Sequence, residues 1–247
     1  MHKTVTGLTA LLFTVVFVFS SIRDSTAEPA LTPITGFTYL KKNAQGYLEY
    51  RHEKTGIVFV VLPANSFWMG SPPNETGRLR DERRHKVSLS SFLIAKYEVT
   101  QAQWKKIMGK NPANFRGDAH PVENITWTET QAFLKKTGLK LPTEAQWEYA
   151  CRAGTAGPFS PEDLNRAGWF DGNSGMMTHP VGLKKPNGFG LYDMHGNVSE
   201  RCRDVYDADF YSKPAASVKD PVNLSGRSLR DPKYVIRGGR CATNMLN

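Results

Sequence analysis

Each helical pattern in this chain is cut off soon after it begins, and beyond Gly154 helical periodicity is lost altogether. In "TQAQWKKIMG" Thr100 is the cap, Ala102, Trp104, Ile107 and Met108 carry the helical spacing, and Gly109 stops it. "TWTETQAFLKKTG" repeats the layout, with Thr128 as N-cap candidate and Gly138 as its end. "LPTEAQWEYACRAG" opens on Pro142, Thr143 and Glu144 and stops at Gly154. Long helices have no room in such a chain. Its 21 Gly, 15 Pro and five Trp in 247 residues point to one loop-rich domain in which aromatic side chains supply much of the buried area.

The strand signals lie before the helices. Ile57 to Leu62 is a continuous β-branched and aromatic run that reads as the first buried strand, with Phe67 to Met69 as its hairpin partner across Pro63-Ala64-Asn65. "KVSLSSFLIAKYEVT" reads as one further short strand. Residues 28–56, a mixture of Pro, Gly and Lys-Lys with scattered aromatics, read as an N-terminal extension, and 57–247 as the domain.

Residues 1–27 read as a signal peptide: Lys3 is a short basic start, Leu8 to Phe19 carries no charge, and Ser25-Thr26-Ala27 precedes a cut at Glu28. The run is shorter than the roughly 20 residues that span a bilayer, so a secreted or periplasmic protein without a stable membrane anchor is expected. The formal charge of +9 becomes +8 once Lys3, Arg23 and Asp24 leave with the signal, which favours anionic partners. Its densest cluster, Gly77 to Lys86, is interleaved with Asp81 and Glu82 and lacks the aromatic spacing of a nucleic-acid groove. That cluster reads as a solvated loop, and nucleic acid is not expected as a partner. Cys151, Cys202 and Cys241 form no CxxC and have no histidine at zinc-ligand spacing.

Two stretches carry candidate chemistry. Near the end, Tyr234, Val235 and Ile236 meet a Gly pair and then Cys241, a layout in which a strand can deliver a thiol into a cleft. Earlier, "PNGFGLYDMHGNVSERCRD" combines Asp193 and Glu200 with turns at Gly196 and Asn197, so that side-chain and main-chain oxygens can converge on a hard cation such as calcium. The same composition also suits an ordinary turn.

"FVVLPANSFWMGS", "DERRHKVSLSSFLIAKYEVTQAQW", "HPVENITWTETQAF", "LPTEAQWEYACRAGT", "GFGLYDMHGNVSE" and "VIRGG" resemble, in order and spacing, the formylglycine-generating enzyme or sulfatase-modifying-factor family, over roughly residues 57–240. The resemblance implies an α+β domain, a compact variant of the C-type-lectin-like fold with little regular secondary structure. It implies oxidation of a cysteine in sulfatases to formylglycine, using oxygen and a copper ion held by two cysteines. It also implies a structural Ca2+ held by the side chains of Asp193 and Glu200 and the carbonyls of Gly196 and Val198. The sequon Asn197-Val198-Ser199 falls inside that loop and reads as unused.

The departures from the family pattern are as informative. Arg240 stands where the family usually has Ser, Cys241 lies about two positions short of the first copper thiol, and no cysteine follows it. The copper pair is therefore expected to be absent and Cys241 to have no catalytic role, with the terminus a frameshift, a partial gene or a genuine truncation. Cys151 resembles a cysteine whose disulfide partner in some members lies in the C-terminal segment that follows the Gly-Gly element in the family. Ser199 and Arg201 replace the Trp on each side of Glu200, a change that costs roughly 3 to 5 kcal/mol per buried Trp where packing cannot relax. Two classes remain: a relative of the oxidase acting on exported sulfatases, and a noncatalytic binding or structural module of the same fold.

Overall fold

Prolines, glycines and threonine caps bound the elements of this chain, and the strands and helices are correspondingly short. The structure is a computed structural model that describes residues 33–75, 78–157, 164–227, 232–239 and Cys241. The expected signal peptide, 1–27, lies outside the described residues. The folded unit starts at Ile34. In chain order it contains strands β1 (Phe37–Lys42), β2 (Leu48–His52), β3 (Val58–Leu62), β4 (Asn65–Met69), β5 (His85–Leu89) and β6 (Phe92–Ala95). Helices α1 (Gln101–Met108), α2 (Trp127–Thr137), α3 (Glu144–Arg152) and α4 (Leu164–Ala167) follow, and then strands β7 (Glu200–Val205) and β8 (Tyr234–Arg237). This is an α+β fold, as expected. None of the described helices is long and apolar enough to cross a membrane.

The strand reading needs three corrections. The first strand is β1, not β3: residues 37–52, within the stretch read as an extension, form an antiparallel hairpin whose second strand pairs with β3. The expected hairpin of Ile57–Leu62 with Phe67–Met69 does not form, because β3 pairs with β6 (Phe59 opposite Ala95, Leu62 opposite Phe92) while β4 pairs with β5. The stretch "KVSLSSFLIAKYEVT" is accordingly two strands in two sheets. The chain changes sheet after Pro63, which has no N–H to continue a ladder, and changes back at Ser90-Ser91. Both serines are held at that corner: Ser90 donates its N–H and hydroxyl to Asp220 at 2.7 Å, and the Ser91 hydroxyl donates to the Leu62 carbonyl.

The three longer helices start in capping boxes, in which a Thr side chain accepts from the third helical N–H and that residue's side chain reaches back. For α2 the cap is Thr126 rather than Thr128, because Glu129 lies three residues after Thr126 and closes the box. Gly109 and Gly138 end α1 and α2 in the left-handed region, while α3 ends on Ala153 one residue earlier than expected.

Two cores result. The larger joins β3 to β6 with α3, the segment Phe189–Met194, and Cys202 and Val235 of β7 and β8. The smaller lies under α1 and α2, where Trp104 and Phe133 stack with centroids 5.0 Å apart. Segment 189–198 is thereby pinned between the main sheet, α3 and the β7–β8 ribbon.

Candidate functional site

Asp193 and Asn197 take positive φ (57° and 63°), a backbone choice that few side chains tolerate, and between them Gly196 sits at φ 145°. Only glycine fits there, since a Cβ would come within 2.1 Å of the Trp169 carbonyl. The turn is held peptide by peptide. The Asn197 N–H donates to the Trp169 carbonyl at 2.8 Å, which turns the Gly196 carbonyl of the same peptide to the opposite side. The next peptide is gripped at both ends: the Val198 N–H donates to Glu98 at 3.0 Å and the Asn197 carbonyl accepts from the Cys241 N–H at 3.1 Å.

The Asn197 side chain is fully buried and wholly engaged, donating to Glu98 and to the His179 carbonyl and accepting from the His179 N–H. A glycan on its amide would replace one of the two donating hydrogens and need room that the fully buried side chain lacks, in keeping with an unused sequon.

Asp193 is 1% exposed. Its Oδ2 accepts from the Gly182 N–H at 2.7 Å, whereas its Oδ1 is buried without any hydrogen-bond partner. A carboxylate oxygen left bare in the interior is costly unless a proton or a cation satisfies it. Glu200, half-buried at the start of β7, accepts from the Trp147 indole N–H at 3.2 Å. Burial pushes the Asp193 carboxyl up to about 6, against the pull of the Gly182 N–H and the Lys184 charge. Burial likewise pushes Glu200 up to about 7, with the negative charge of Asp193 adding to it.

Glu98, which the sequence reading did not single out, completes the group. Burial first, and then the charges of Asp193 and Glu200, hold its carboxyl well above the ordinary range. The signal available in the sequence was a lone carboxylate in "AKYEVT", between a strand and a helix cap.

Asp193, Gly196, Val198 and Glu200 are thus in one short segment with both carboxylates electrostatically coupled, as calcium would need. Among the described residues no three His, Cys, Asp or Glu side chains are grouped to hold a metal, so a site here rests on two carboxylates plus main-chain carbonyls. The residues present fit that chemistry, and the bare Asp193 Oδ1 is the observation in its favour.

Copper does not fit. The Cys151 thiol lies 3.8 Å from the His195 Nδ1 and 3.7 Å from the Met194 carbonyl, and burial drives it up to about 12. Cys202, also buried and driven well up, lies on β7. Cys241 is buried beside the turn, its carbonyl accepting from the Ser174 hydroxyl. None of the three forms a disulfide. A cavity of about 1130 Å3 opens next to this turn, with Glu98, Ser199, Arg201, Ile236 and Cys241 among its walls. Ser199 and Arg201, standing where the resemblance expects Trp, thus face open space instead of filling it.

The sequence matches the family model described as "Sulfatase-modifying factor enzyme 1-like domain" over residues 45–246. The chain belongs to this family. Within the sulfatase-modifying-factor family it is 30% identical over 160 residues to a formylglycine-generating enzyme of Streptomyces coelicolor, an alignment covering 58% of this chain and 51% of that one. It is also 38% identical over 212 residues to the serine/threonine-protein kinase pkn1 of Chlamydia pneumoniae, covering 73% of this chain and 32% of the kinase. The chain therefore spans about a third to a half of the length of these relatives. The solved structure of PvdO from Pseudomonas aeruginosa superposes with a TM-score of 0.67 at 28% identity, covering 87% of this chain and 90% of that one.

Proposed function

We propose that this sulfatase-modifying-factor domain is a noncatalytic binding or structural module, exported from the cytoplasm and closed by a structural calcium ion. The observation that carries the noncatalytic reading is the state of the thiols. Copper chemistry on a substrate cysteine requires accessible thiolates, and Cys151 and Cys202 are desolvated thiols held in their neutral form at neutral pH. The oxidase's proposed substrates, exported sulfatases, remain the candidate protein partners, bound rather than oxidised.

The full chain incubated with copper, oxygen and a sulfatase-motif peptide is expected to leave the peptide cysteine unchanged by mass spectrometry. An aldehyde product that disappears on Cys241→Ser would contradict this reading and restore the oxidase function.

The calcium reading rests on the bare Asp193 oxygen and on the two acidic side chains, Asp193 and Glu200, that flank the turn. When bound, such an ion would neutralise the carboxylates and tie the turn to the sheet. Export rests on residues 3–27 alone: N-terminal sequencing of the mature protein should begin at Glu28, and recovery of intact Met1 from the cytosol would refute it.

A further inference from the structure

In the basic stretch Arg78 to Lys86 the two acids, Asp81 and Glu82, lie between cations along the chain, but in the folded protein both take hydroxyl partners rather than those cations. Asp81 turns to accept from the Tyr206 hydroxyl at 2.7 Å, and Glu82 accepts from the Ser71 hydroxyl at 2.7 Å. Arg80, Arg83, Arg84 and Lys86 are left exposed, and among the described residues none of them enters an ion pair. Asp81 and Glu82 keep their charges in these hydrogen bonds, so the four exposed cations outnumber the two acids of the stretch and leave a net positive local field for an anion.

The β4–β5 ribbon adds an aromatic to this field. Trp68 stands opposite Lys86 in the register, and 53% of its surface is exposed. The Arg84 guanidinium lies 5.0 Å from its ring centroid. One step along the same face, the Ser66 and Ser88 hydroxyls pair at 2.7 Å. Indole, hydroxyls and cations thus line one face of a two-stranded ribbon, although Trp68 and Arg84 are sixteen positions apart in the chain.

We propose that this face binds an anionic polysaccharide, one bearing sulfate or carboxylate groups. The flat guanidinium fork of Arg84 matches such a group, the Lys86 ammonium opposite Trp68 adds a second cation on the same face, and the apolar C–H faces of a sugar ring pack on an indole. An acidic peptide adding as a strand is disfavoured, because the β5 edge at Ser88 is already taken by the bridge to Lys219 and by the Asp220 N–H at 2.8 Å. A single-stranded nucleic acid would use a series of stacking aromatics, and this face offers one.

The test is retention of the full chain on immobilised heparin, with free sulfated dextran, neutral dextran, poly-glutamate and single-stranded DNA as competitors. Sulfated dextran should displace the protein and neutral dextran should not. Arg84→Glu/Lys86→Glu is expected to weaken binding about tenfold or more, and Trp68→Ala to weaken it by a smaller factor. Lys105→Glu/Lys106→Glu makes the same net charge change on the exposed side of α1 and is expected to bind like the parent. Equal losses in the two charge-reversal variants would reduce the effect to general ion exchange and overturn the proposal. Displacement by poly-glutamate or DNA as efficient as by sulfated dextran would overturn it as well, by assigning the face to another occupant.

Discussion

Replacing Arg237 by Ala is expected to remove about 3 to 5 kcal/mol of folding stability, the cost of leaving buried carboxylates without their cation. Arg237 is the last residue of β8, and its guanidinium lies 2.9 Å from Glu144 and 2.7 Å from Glu148, both on α3. It also donates to the Tyr211 hydroxyl at 3.0 Å. Glu148 accepts in addition from Arg152 at 2.9 Å and from the Gly70 N–H at 2.8 Å, so one carboxylate joins β8, α3 and the end of β4. Burial opposes its charge, yet Arg237 and Arg152 together hold its carboxyl below the usual range. Without Arg237, Glu144 and Glu148 repel each other with Arg152 pairing Glu148 alone, and the β7–β8 ribbon loses this tie to α3. Urea midpoints of the parent and variant measure this. Arg237→Lys keeps the charge but loses the fork, and should fall between the two. Glu144→Gln added to Arg237→Ala should recover part of the loss, because it removes one of the repelling charges. A loss below about 1 kcal/mol for Arg237→Ala would place the network in the solvent-screened class of ion pairs.

The legible parts of this protein were those governed by local rules. Thr100, Gly109 and Gly138 were readable as helix ends because a cap needs only its own neighbours in sequence. The ordered motifs gave the family and the α+β class. Strand pairing was not legible, because β3 is indifferent between Phe67 and Phe92 until Asp220, more than a hundred residues away, fixes Ser90 at the corner. The turn residues Asp193, Gly196, Val198 and Glu200 could be singled out by residue type and resemblance. Glu98 could not, since its part depends on two hydrogen bonds from a segment about a hundred residues later. The hydrogen bonds of Asp81 with Tyr206 and of Glu82 with Ser71 in the basic loop were not legible for the same reason, since sequence spacing does not reveal those partners.

Calcium is expected to stabilise the domain by about 2.7 kcal/mol at 100 times its Kd, because the ion binds the folded turn and not the unfolded chain. The pH dependence without the ion follows from the same residues. Asp193 (about 6) and Glu200 (about 7) both lie above their ordinary values of 3.8 and 4.5, so between roughly pH 4 and 7 the folded state holds more protons than the unfolded state. In EDTA, stability should therefore fall as pH rises through this window, with Glu98 acting in the same direction and Lys184 partly opposing it at Asp193. Calcium should remove that fall, since the ion replaces the protons. Asp193→Asn keeps an oxygen for the Gly182 N–H but removes a charge, so it should lose the calcium gain without losing stability in EDTA.

The decisive measurement is a pair of thermal melts of the mature protein at pH 7.5, one in EDTA and one in excess calcium, for the parent and for Asp193→Asn. A closed calcium turn requires a higher melting temperature in calcium for the parent and coincident curves for the variant. Coincident curves for the parent itself would mean that Asp193, Gly196, Val198 and Glu200 form an ordinary turn, and would contradict the account.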